Sequence, residues 1–441
     1  MARSDRRAAA ILVALTACYS PPSAAPLTPA EVASWSAGTT VPGTGTGAAP
    51  ASWDLDVEAA VAYARRNGPT ATARRNDEAI AAAEIGAAGQ LTNPEVRVGR
   101  SITDSSVLNA SDRVVVGLRL HPDMPWARDA KIAAARADLA AEHARTGSTQ
   151  RVVAAEIRRL YAALAFGEAT REVITKQLAV LVQRQQVLAA QVARGTATQL
   201  EAILSEEDSI DLEATRGTLE VELARSRSAL STLIGVPHGQ TWKPVWDLAK
   251  LRAVETTFDR SALRTRALAA RPELAEAAHR VQAADARAYR ERARRMPWFS
   301  YVQAERSVKD TVEWAISLAV TVPVFSLNGG EIEAADARTK SATDARKQLA
   351  LQTILDVDAA IALAETTGKR AKDLADRVGP LDLALSTVMT QTSSAGIADP
   401  VKLLLLEERH VRAERKVLEA ALDHRLAIIE LLALTEDATW R

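Results

Sequence analysis

The side chains that usually carry chemistry are few in this chain and poorly spaced to cooperate. Of 441 residues, six are histidine (121, 143, 238, 279, 410 and 424) and one is cysteine, Cys18. A metal site wants its ligands at short helical or hairpin spacings. The histidines offer none: His410 and His424 stand fourteen positions apart on one predicted helix, able to share a face but not an ion. No Gly-rich phosphate loop and no nucleophile elbow occurs, and pairs such as Glu206-Glu207 are too common on helices to mean acid–base work. These residue types predict no enzyme, no metal and no cofactor.

The lone thiol has a more specific context. Arg3, Arg6 and Arg7 precede a short apolar run, Ala8–Thr16, and small residues lead to the cysteine. That is the layout of an export signal, and the run is shorter than the roughly 20 residues a spanning helix needs. Leu15-Thr16-Ala17-Cys18 resembles a bacterial lipobox, in which the thiol is acylated and becomes the mature N-terminus. The alternative is a plain signal with an incidental cysteine. One cysteine cannot form a bridge within the chain, so the expected role of Cys18 is lipidation. Residues 1–17 are then the signal. Residues 18–52, rich in Pro, Gly, Ser and Thr ("SAGTTVPGTGTGAAPAS"), are a flexible tether that lacks the apolar surface to fold alone.

The remaining elements must be read from periodicity. Charge is balanced, 55 basic against 55 acidic residues, which argues against a nucleic-acid partner. Helical periodicity runs from about Trp53 to Gln90, and Pro94 stops it. In "DRVVVGLRLHP" Val114, Val116, Leu118 and Leu120 alternate with Val115, Gly117, Arg119 and His121, a period of two and hence a strand. From about Ala127 to Val192 apolar residues recur every three or four positions without a proline, predicting one helix of roughly 100 Å. A turn at Gly195 and a second helix, Gln199 to Ile234, follow.

The pattern then repeats. "EWAISLAVTVP" alternates Trp314, Ile316, Leu318, Val320 and Val322 against Ala315, Ser317, Ala319 and Thr321. Leu118 and Leu318, Ile132 and Ile332, and Ala135 and Ala335 all stand two hundred positions apart. "GTATQLEAILSEE" (195–207) lies over "GIADPVKLLLLEE" (396–408) without a gap. Residues 53–240 and 241–441 thus read as two repeats of helix, β-hairpin, long helix, turn and helix. Gly379-Pro380 is expected to break the long helix of the second repeat only.

Two hairpins make a poor free-standing sheet. Their apolar faces suit lipid, and Trp126, Trp298 and Trp314 suit a membrane interface, although a small soluble β-region with core tryptophans is the other reading. Membrane strands must close on themselves, and four strands per chain are too few, so several copies are required.

The order of these pieces resembles the TolC-like outer-membrane efflux proteins over about residues 53–436. The resemblance rests on the two repeats, the strand starts "NPEVRVG" and "MPWFSYV", the stretch "VPVFSLNGGEIEAADARTKSA", and the Gly–hydrophobic–acidic motif at Gly195 and Gly396. It implies a mainly α fold with a small membrane β portion: a homotrimer with an α-barrel of long coiled-coil helices and a shared twelve-stranded β-barrel, four strands per protomer. The implied function is the passive outer-membrane duct of a tripartite efflux pump, anchored by lipid. Its implied partners are outer-membrane lipid, a periplasmic adaptor (membrane fusion protein) and an inner-membrane transporter.

The resemblance also assigns residues. Arg194, Gly195, Thr198, Gly396 and Asp399 would lie on adaptor-facing tips, and the loops around 104–112 and 307–311 would face outside the cell. Arg119 and His121 would line the barrel lumen. An acidic constriction ring cannot be carried over, because Lys402 and Leu405 stand six and nine positions after Gly396. Glu201, Lys402 and Asp399 remain the constriction candidates, with Asp399 read first as the cap of the helix that starts at Pro400. Gly379-Pro380 is a feature shared with the metal-efflux branch. Outside this class, the alternative is a lipid-anchored periplasmic coiled-coil scaffold or adaptor without channel activity.

Overall fold

The computed structural model describes residues 53–101, 113–236, 241–308, 311–324, 327–395 and 400–435. Cys18, the tether, Gly396, Asp399 and the 104–112 loop lie outside these. The described residues fall into two units. In the smaller, 1–53 with 236–242, the Trp53 N–H donates to the Thr241 carbonyl at 3.2 Å. The larger, Asp54–Gly235 with Lys243–Arg441, holds the described helices and a four-stranded sheet.

Where one opening helix is expected, there are three elements. Trp53–Leu55 is a short strand, β1, and Asp56 then accepts the Ala59 N–H at 2.7 Å to start α1 (Val57–Asn67). Pro69 ends α1 and opens α2 (Pro69–Gly89), because a proline has no N–H to donate but fits the first helical turn. The first hairpin is β2 (Glu95–Ser101) and β3 (Arg113–Leu120). Helix α3 (Pro125–Ala193) is unbroken for 69 residues, and α4 (Gln199–Ile234) follows it.

The second half has a similar run of elements with one short helix more. It comprises β4 (Trp242–Pro244), a single turn α5 (Leu248–Leu251), α6 (Arg260–Ala270) and α7 (Pro272–Ala293). The hairpin β5 (Trp298–Val308) and β6 (Val312–Thr321) leads to α8 (Gly329–Ala395) and α9 (Pro400–Thr435). Strands β1 and β4 pair with each other; at three residues each they are too short for periodicity to reveal.

The expected break at Gly379-Pro380 is absent: α8 continues through Pro380 for 67 residues. An interior proline forfeits one backbone hydrogen bond and costs about 3 kcal/mol, which a long, packed helix can absorb. A Cβ added at Gly379 would touch nothing within 4 Å, so this stretch is sterically open.

Helix α3 is the spine of the core. Phe166, Ala169 and Val173 pack with Val411, Leu418 and Ala421 of α9, and Ile174, Leu178 and Leu181 pack with Leu212 of α4. Ala155 and Ala162 meet Ile429. Small residues let the helix axes approach, and Gly167 shows why: a Cβ there would lie 2.7 Å from the Leu223 side chain on α4. Around α8, Val357, Ala360 and Ile361 join Leu263, Ala267 and Leu431.

Candidate functional site

Strands β2, β3, β5 and β6 form one antiparallel sheet in the order β2-β3-β5-β6. The register sorts its residues onto two faces. Val98 opposes Val116, Val116 opposes Arg306, and Arg306 opposes Trp314; one step away Leu118 opposes Ala304, which opposes Ile316. This face is apolar except for Arg100 and Arg306, and it is bare: Val98, Trp314 and Ile316 are 74%, 73% and 83% exposed. Arg306 lies over the Trp314 ring at 5.9 Å.

The opposite face is polar and internally bonded. Gln303 is buried and accepts from Arg119 Nε at 2.7 Å and Arg97 Nη1 at 3.4 Å, while its own Nε2 donates to Glu305 at 2.5 Å. The Arg119 guanidinium also lies 4.3 Å from the Tyr301 ring centre. His121 reaches the Ser300 carbonyl (2.7 Å) and the Glu95 carboxylate (3.1 Å) with its two ring nitrogens. Arg119 and His121, two positions apart, therefore stand on the same side, each with its own partners. A water-soluble sheet buries its apolar face and wets its polar one; here the apolar face is the uncovered one. Among the described residues, β2 and β6 are also left as open edges.

The three tryptophans named from the sequence occupy two levels. Trp126 lies in the first turn of α3 rather than on a strand, and packs edge-on against Trp298 at 5.0 Å. Trp298 opens β5 and its Nε1 donates to the Pro122 carbonyl at 2.8 Å. Trp314 is near the opposite end of the hairpin, on the bare face.

At the far end of α3 the chain reverses. Arg194 is the C-cap, its Nε donating to the Ala190 carbonyl at 3.0 Å, and Gly195 has φ of +72°, a left-handed turn that a side chain would strain. Thr198 and Glu201 then form a capping box. The Thr198 N–H donates to Glu201 Oε2 at 2.8 Å, and the Glu201 N–H donates to Thr198 Oγ1 at 3.4 Å. The carboxylate of Glu201 thus serves the helix start. Lys402 lies in the first turn of α9, beyond the undescribed 396–399.

Periodicity alone missed one cluster. Arg184 of α3 is buried and pairs with Glu408 of α9 at 2.5 Å and with Asp208 of α4 at 2.5 Å, and its Nε donates to Ser205 at 3.0 Å. Glu408 in turn accepts from Arg412 at 2.6 Å. The available signal is a charge in an apolar slot. Arg184 falls between Leu181 and Leu188, and Glu408 between Leu404 and Val411, at core spacing in each case.

Among the described residues no group of three or more His, Cys, Asp or Glu could hold a metal ion. No described helix is long and apolar enough to cross a membrane.

No family model matches the chain, and no curated protein does. Solved structures do match. The chain is similar to CusC, whose structures concern folding and transmembrane channel formation, with a TM-score of 0.70, 16% identity and coverage of 88% of this chain and 94% of that one. It is similar to the open state of the Neisseria gonorrhoeae MtrE outer-membrane channel (TM-score 0.68, 19% identity, 86% and 88% covered). The Campylobacter jejuni CmeC outer-membrane channel gives a TM-score of 0.68 at 11% identity, with 86% and 85% covered. At under 20% identity the likeness is one of fold: the mainly helical fold of these channel structures.

Proposed function

We propose that this protein is an outer-membrane channel that carries cargo outward in efflux, passively, with energy supplied by its partners. The observation that carries this is the two-faced sheet, bare where it is apolar and hydrogen-bonded where it is polar. Hydrocarbon is the solvent that stabilises such a face, and a barrel lumen suits the Arg119–Gln303–Glu305 network. The open edges at β2 and β6 must pair in a membrane, so three chains would close a twelve-stranded barrel and align the long helices into an α-barrel.

In this reading the two sequence halves are a duplicated unit, and the turns at Gly195 and Gly396 are periplasmic tips presented to an adaptor, which couples the duct to an inner-membrane transporter. Thr198 and Glu201 hold the first tip in shape, with Glu201, Asp399 and Lys402 as the residues closest to any constriction. Trp126 and Trp298 would mark one membrane interface, and Trp314 the other. Cys18 would carry the lipid that anchors the mature chain to the outer membrane.

Native mass spectrometry of protein extracted from outer membranes, with single-channel recording, tests the reading. The expected result is a trimer of chains beginning at an acylated Cys18, with discrete conductance steps. A water-soluble monomer without conductance would support the coiled-coil scaffold instead.

A further inference from the structure

Where the strands give way to helices, cations gather around a cleft of about 410 Å³. Arg128 and Lys131 come from the start of α3, Arg290 and Arg294 from the end of α7, and Trp298 and Asp123 complete the lining that matters here. Arg128 is held by the Gly89 carbonyl (Nε at 3.1 Å), which aims a guanidinium at the cleft without neutralising it. Arg290 and Arg294 share one carboxylate, Glu291, at 2.8 and 3.0 Å. Four cations against Asp123 and Glu291 leave an excess of two positive charges.

Apolar surface adjoins the same place. Trp298 makes an edge contact with Phe299 at 5.2 Å, and Phe299 opposes Val320 on the bare apolar face of the sheet. The Arg295 Nε donates to the Leu327 carbonyl at 2.8 Å, which brings an exposed leucine beside the basic run. Met296 is exposed as well. From the sheet toward the helices the order is therefore bare hydrocarbon, tryptophan pair, cations. That is the order of a bilayer leaflet: acyl chains, interface, phosphate.

We propose that this cleft holds the phosphodiester headgroup of an anionic phospholipid, with its acyl chains against the Phe299 side of the sheet. The inference rests on the reading that the apolar face lies in a membrane. A free anion would satisfy the cations but leave the adjoining apolar surface uncovered. A zwitterionic lipid would cover that surface but leave two charges uncompensated.

The test uses the full chain in detergent, incubated with phosphatidylglycerol or phosphatidylcholine of equal chain length and examined by native mass spectrometry. Phosphatidylglycerol should be retained in preference. Lys131→Gln, an exposed change that leaves the Glu291 pairs intact, and Arg294→Gln should each weaken retention about fivefold. Equal retention of the two lipids would overturn the proposal, as would unaltered retention in both variants. Displacement by millimolar inorganic phosphate would also overturn it, identifying an ion site instead. Conductance of the unmodified protein separates this from the reading beneath it. A protein that conducts but shows no lipid preference defeats only the lipid site, whereas one that neither inserts nor conducts defeats the channel.

Discussion

Along α3, Ile157, Leu164 and Phe166 are buried while Arg171 and Lys176 face outward; along β6, Trp314, Ile316 and Leu318 face outward while Gln303 on the neighbouring strand is buried. One chain thus sorts polar from apolar in opposite senses in two regions. Folding rewards apolar burial only where the surroundings are water. The α3 core follows that rule, although other helix positions such as Leu200, Ile203, Leu351 and Leu355 are exposed; the sheet inverts it, as the proposed function, with hydrocarbon against its apolar face, requires. On the proposed function the two regions are stabilised by different media, so a change of one kind should act differently in each.

The sharpest way to break this contrast is to place charge on the bare face. Leu118→Lys together with Ile316→Lys should cost about 2–4 kcal/mol each near a bilayer midplane and abolish membrane insertion, read as loss of the protein from the membrane fraction. Ser317→Lys, on the polar face of the same strand, should leave insertion intact. If the double variant still inserts, the apolar face does not meet lipid.

Next in size is the helical core. Arg184→Met leaves Glu408 buried without its main partner and should cost about 3–5 kcal/mol; adding Glu408→Leu should recover most of that loss. Thermal unfolding followed by far-ultraviolet circular dichroism measures both. A double variant as unstable as the single one would mean that the cluster does more than balance charge.

A smaller effect is expected at the turn. Thr198→Ala removes the capping-box hydroxyl and should cost about 1 kcal/mol, leaving the sheet and its insertion untouched. The smallest is pH-dependent. His424 is buried between α8 and the 253–259 segment, where its Nε2 accepts the Glu255 N–H at 3.2 Å and Thr367 lies 3.4 Å from Nδ1. Burial pushes its pKa below the ordinary histidine value, the nearby Arg425 charge adds to this, and a hydrogen bond to the Ala364 carbonyl opposes it. The unfolded chain therefore takes up the proton first. Stability should be complete above about pH 6.5 and fall as pH drops through the lowered folded value. His424→Gln should remove that part of the acid sensitivity, measured as the pH dependence of the unfolding midpoint.

Much of this architecture is legible in residue patterns, for a physical reason: long helices and alternating strands are periodic, and periodicity is a local property. The proline-free run after Pro125 predicts α3, and the alternation of Val114 to Leu120 predicts β3. Thr198 three positions before Glu201 is likewise a local capping signal. Pattern failed where context outweighs local preference. Pro380 stands inside α8 because a long helix absorbs a single lost hydrogen bond.

The sequence by itself determined the long helices, the two-faced character of the hairpin strands and the single thiol, Cys18. Those follow from side-chain spacing along one element. Only the tertiary structure decided that β3 pairs with β5, joining the two hairpins into one sheet, and that Gln303 gathers Arg97 and Arg119 from two other strands. It also brought Arg184 to Glu408 across 224 positions, and set Arg128 and Lys131 beside Arg290 and Arg294. These are contacts between distant segments, set by packing and register, and no local period encodes them.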